Sequence, residues 1–102
     1  MNICEKSINT FSPTSRLLKL AEESSELSAA SIRFISGHDR KSISKIKSDF
    51  IEEIADVHIM IDQMKYIYGD EIEQKIKEKL IRLEMLIEKE EFKIKRSIKI
   101  GY

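Results

Sequence analysis

The chain has 102 residues and a mass of 11.9 kDa, which fills one modest core and excludes a multidomain enzyme. Its 18 Lys and Arg cancel its 18 Asp and Glu, so no global positive field exists to hold a nucleic-acid backbone, and nucleic acid is not an expected partner. With 41% hydrophobic and 35% charged residues, 3 Gly and 1 Pro, the composition excludes disorder and a turn-rich all-β fold and favours an all-α one.

The lone Cys4 can form neither an intramolecular disulfide nor a zinc knuckle, which fits a reducing compartment. The first residues lack an apolar signal core, and no apolar run approaches the roughly 20 residues of a membrane span. The expectation is a cytoplasmic, soluble protein without a membrane partner.

Ser12-Pro13 opens the first clear helix, because Ser caps well and Pro tolerates the first helical position. Leu17, Leu20, Leu27, Ala30, Phe34 and Ile35 recur at helical spacing up to Gly37, predicting a helix over 13–36. Residues 37–42 are polar and glycine-led and read as the turn of a helical hairpin. A second helix over 42–68 carries Ile43, Ile46, Phe50, Ile54, Val57, Ile61, Met64 and Tyr68 and stops at Gly69, a candidate left-handed cap. Asp70 with Glu73 forms an acidic capping box for a third helix over 71–91, whose Ile72, Ile76, Leu80, Leu83 and Ile87 make a near-heptad stripe. Beyond Glu91 the apolar residues mostly alternate with basic ones, predicting a short strand or extended arm over 92–102. The whole reads as a single domain, 1–102.

The chemistry concentrates in two acidic motifs. Glu22-Glu23-Ser24-Ser25-Glu26 and Glu52-Glu53-Ile54-Ala55-Asp56 repeat one acid-acid-x-x-acid arrangement on the two arms of the hairpin. At about 100° per residue the three acids of each motif share one flank, with Glu23 and Glu53 at the edges of the apolar stripes. A carboxylate at such an edge is costly unless paired, and Lys19 and Lys45 are the basic residues on these flanks. In an antiparallel hairpin Glu23, Glu26, Glu53 and Asp56 can converge, and a cation must then offset their repulsion. Hard carboxylate oxygens without His or Cys suit Mg²⁺, with Mn²⁺ as a substitute.

The plainer alternative is that these acids solvate exposed faces or make weak pairs along the helix. Solvation alone does not account for carboxylates at the apolar edge of both helices. A di-iron bundle site needs Glu-x-x-His, but Ala55 stands three residues before His58. His58 and His38 therefore read as packing or surface residues, and Met60 and Met64 as core.

Leu20-Ala21-Glu22-Glu23-Ser24-Ser25-Glu26-Leu27 followed by Glu52-Glu53-Ile54-Ala55-Asp56-Val57 resembles the MazG-like all-α nucleoside triphosphate pyrophosphohydrolases. Their signature is EExxE, a spacer and ExxD; here 26 residues intervene and the similarity spans about 13–88. The resemblance implies a MazG-like helical bundle in which Glu23, Glu26, Glu53 and Asp56 bind Mg²⁺, which grips the triphosphate. It implies hydrolysis of the α–β phosphoanhydride to a nucleoside monophosphate and pyrophosphate, with Glu22 or Glu23 activating the water. Many relatives carry Asn seven residues after the Asp of ExxD, where this chain has Gln63, which puts a nucleotide contact in question. Lys19 can reach a phosphate or instead pair with Glu23 or Glu26. Phe11 and Phe34 can stack on a base, but Phe34 lies within the apolar stripe and reads as core.

Three helices give a thin core, and the stripes of the second and third are wider than one hairpin partner covers, predicting at least a homodimer. The resemblance implies a homodimer or homotetramer with active sites near subunit interfaces. The basic tail, with Lys93, Lys95, Arg96 and Lys99, can pack on a neighbour, attract the polyanionic substrate or RNA, or serve as a lysine-protected edge. Two other functions compete with hydrolysis. One is a helical interaction module working through Leu80 and Leu83, the other a regulatory protein that binds nucleotide without cleaving it.

Overall fold

A computed structural model describes residues 2–37 and 43–99. All regular structure among them is helical, in the order α1 (Ile3–Phe11), α2 (Pro13–Ser36) and α3 (Ile43–Lys99). The expected all-α class is therefore observed. His38 and the rest of the expected polar turn beyond Gly37 lie outside the described residues, as do residues 100–102 of the tail.

The helix α1 was not expected from the sequence pattern, and its basis is local. The Asn2 side chain accepts hydrogen bonds from the backbone N–H groups of Cys4 (2.7 Å) and Glu5 (3.2 Å), capping the first turn. Ser12 both ends α1 and starts α2. Its N–H donates to the Ile8 carbonyl at 2.9 Å, and its hydroxyl accepts from the Ser15 N–H at 3.2 Å. Two helices joined through a single residue demand a sharp reversal, and Ser12 takes φ 84° to make it. Gly37, at φ 63°, closes α2 in the left-handed conformation, as its position in the sequence predicts.

The expected break between the second and third helices is present within α3, at Tyr68 (φ −117°, ψ 22°), where the backbone is non-helical; what is corrected is the cap, because Gly69 has no positive φ. A second expectation is corrected in the tail. The expected extended arm is helix as far as Lys99. No Gly or Pro interrupts residues 70–99, and Ile87, Ile94 and Ile98 also satisfy a spacing of seven and four. Strong helix formers thus outweigh a short alternation of period two. Ser97 donates to the Lys93 carbonyl at 3.0 Å, a bond made within that helix.

The chain divides into two compact units, Met1–Ile67 and Tyr68–Tyr102. In the first, α2 and residues 43–67 of α3 form the predicted hairpin. Phe34 and Phe50 stack at its turn end, with ring centroids 5.2 Å apart. Ala30, Ile46, Val57, Met60 and Met64 are buried along it, joined by Ile8 from α1. This core is small, and Ile43, Ile54 and Ile61 of the same stripe remain exposed. In the second unit no residue from 68 to 98 is buried.

Candidate metal centre

The hairpin places the two acidic motifs at one level. One carboxylate oxygen each from Glu23, Glu26 and Glu53 lies within 4.8 Å of the other two. Glu23 is 8% exposed, Glu53 is half-buried and Glu26 is exposed. This gradient follows from the sequence, because Glu23 and Glu53 occupy the edges of the apolar stripes while Glu26 stands farther toward solvent.

Charge balance inside the cluster is incomplete. Lys19 pairs with Glu23 Oε1 at 3.3 Å and with Glu22 Oε2 at 3.4 Å. Glu23 first, and Glu22 after it, hold the Lys19 ammonium more firmly protonated than usual. The other oxygen of Glu23, Oε2, is buried without a hydrogen-bond partner, and so is Oε2 of Glu53. Partial burial pushes the Glu53 carboxyl above its ordinary pKa, the charges of Glu26, Asp56 and Glu23 add to that push, and a hydrogen bond with Glu26 favours the protonated form. Buried carboxylate oxygens normally have partners. Two orphaned oxygens thus belong to residues of one negative cluster.

The structure brings together three of the four expected metal ligands. Asp56 is exposed and lies outside the tightest group, although its charge acts on Glu53 one turn away. Glu22 is exposed and occupied by Lys19, and Glu52 is exposed. His58 pairs with Asp62 at 3.4 Å on the surface, as a surface histidine should. The donor set is all oxygen, which matches Mg²⁺ or Mn²⁺ and not a thiolate- or imidazole-seeking metal.

Gln63 is engaged elsewhere. It is 5% exposed, accepts a 2.6 Å hydrogen bond from Ser7 Oγ, and donates to the Ile59 carbonyl at 3.4 Å and to Met60 Sδ at 3.3 Å. With Ser7, Thr10, Phe11 and Ile59 it lines an apolar groove of about 420 Å³ between α1 and α3. Tyr66 marks the same seam, since partial burial and Glu5 of α1 raise its phenol pKa. Phe11 lies under the Arg16 guanidinium, 4.4 Å from its ring centroid, and Phe34 is taken up by Phe50. Sequence reasoning missed Ser7. A signal existed, because Cys4, Ile8 and Phe11 stand four and seven residues apart behind a capping Asn2, so α1 offers one face to α3.

No protein family matches this chain in comparison with known proteins, and neither does any curated protein or solved structure.

Proposed function

We propose that the chain is a Mg²⁺-dependent nucleoside triphosphate pyrophosphohydrolase of the MazG-like bundle class, working in the cytoplasm as a homodimer or homotetramer. One observation carries this reading: Glu23, Glu26 and Glu53 converge from two helices with two buried carboxylate oxygens left unpartnered. Together with the EExxE and ExxD motifs, that geometry supports a metal site for a polyphosphate and not a solvated acidic face.

Glu23, Glu26 and Glu53 would hold the cation, with Asp56, one turn beyond Glu53, as a further candidate ligand, and a cation held there would supply positive charge to offset the negative charge developing on the phosphoryl oxygens. Glu22 or Glu23 takes a proton from the attacking water. Water oxygen bonds to phosphorus, the α–β bridge breaks, and pyrophosphate leaves from the nucleoside monophosphate. Lys19, held beside Glu22 and Glu23 by ion pairs, offers a positive charge at the cluster for a phosphate oxygen. Gln63 supports the wall formed with α1 and contacts the nucleotide only if its bond to Ser7 opens.

A second reading has its own support, since no apolar residue of 68–98 is buried. A helical interaction module accounts for that stripe but not for the orphaned carboxylates. Mg²⁺ titration of the purified protein, followed by thermal unfolding, separates the two. The proposed site predicts a melting temperature that rises with Mg²⁺ and a rise lost in Glu53→Gln. An equal response in both proteins contradicts it.

A further inference from the structure

Residues 68–99 form a helix with no interior of its own, and a helix in water gains most of its stability from burying one face. On a 3.5-residue repeat, Ile76, Leu80, Leu83 and Ile87 occupy successive d, a, d and a positions, and Ile94 takes the a position one heptad on. These five side chains are 38–57% exposed. Glu90 falls on the d position between Ile87 and Ile94, where Lys93, 4.0 Å away, offsets its charge.

The flanking charges bear on what covers the stripe. Lys79 stands at a g position and Glu84 at an e position. On its own helix Lys79 has no acid, and Glu84 no base, three or four residues away. In a parallel, in-register pair each g residue meets the e residue five positions on in the other helix. Lys79 then meets Glu84 of the second copy, and the symmetry makes that contact twice. An antiparallel pair centred on the same layers sets Lys77 against Glu84 and leaves Lys79 unmatched, although Lys77 already has Glu73 four residues before it.

We propose that residues 76–94 form a parallel, in-register coiled-coil seam with a second copy of this chain. The seam rests on the assembly put forward above and is independent of the hydrolytic reading.

Cysteine pairing in the full chain tests it, in a Cys4→Ser background. Leu83→Cys, at a core d position, forms a covalent dimer on mild oxidation at least about tenfold faster than Met85→Cys, which faces about 200° away around the helix. Glu84→Lys and Lys79→Glu each weaken association roughly tenfold in sedimentation, and the double exchange restores it. Preferential pairing of Leu80→Cys with Leu83→Cys in a mixture overturns the parallel register. Crosslinking through Met85→Cys as fast as through Leu83→Cys, or no rescue by the double exchange, overturns the seam while leaving the assembly standing. A monomer at about 100 µM overturns both. Pyrophosphate release is a separate readout, so loss of the seam and loss of the hydrolytic reading are distinguishable.

Discussion

At Glu53, burial and the neighbouring charges of Glu26, Asp56 and Glu23 act in the same direction, each opposing ionisation. The folded state therefore binds this proton more tightly than the unfolded chain, whose carboxyl keeps the ordinary value of 4.5. Stability contributed through this group is greatest below that value and falls as pH rises through the raised folded pKa, because there the folded protein retains more protons than the unfolded one. Glu53→Gln should consequently raise the metal-free melting temperature by a few degrees at neutral pH and flatten its rise on acidification. Thermal unfolding across a pH series without divalent metal checks this, and a lower melting temperature in the variant contradicts the cluster geometry. The duplicated motif made Glu23, Glu26 and Glu53 readable in the sequence, because helical spacing places them on one flank. Asp56 stands apart because spacing fixes an angle around a helix and not the depth at which a side chain sits between two helices. The tie from Gln63 to Ser7 was unreadable for a different reason: it depends on a contact across 56 residues of chain.

At the scale of elements, α2 keeps the bounds that its caps predict, since Ser12-Pro13 and Gly37 act locally. The short α1 was hidden by its length, and the C-terminal end of α3 by an alternation that helix propensity overrides. The two described glycines separate the physical cases. A Cβ meets nothing within 4 Å at either, but only Gly37 has positive φ. Gly37→Ala should therefore cost about 1 kcal/mol from backbone conformation alone. Gly69→Ala, in helical backbone beside the Tyr68 kink, should stabilise by roughly 0.5 kcal/mol. Denaturant midpoints at unchanged slope measure both. Destabilisation by Gly69→Ala would instead restore the left-handed cap suggested by the sequence.

Over the whole molecule, apolar surface exceeds what one chain covers. Among the described residues six apolar ones are buried, while Leu80, Leu83, Ile87 and Ile94 stay open, a thin core of the kind expected of three helices in a chain this short. No helix among the described residues is long and apolar enough to cross a membrane. Protein association is the outlet proposed for the open apolar surface, and nucleotide hydrolysis the one proposed for the acidic cluster. What ties the cluster to function is the pairing of two sequence motifs with three carboxylates that meet in space. The most direct measurement incubates the protein with Mg²⁺ and a panel of ribo- and deoxyribonucleoside triphosphates, quantifying pyrophosphate and orthophosphate separately beside Glu53→Gln. Pyrophosphate and nucleoside monophosphate in equal amounts, lost in Glu53→Gln, is the predicted result; no product from any nucleotide, or orthophosphate alone, would contradict the account.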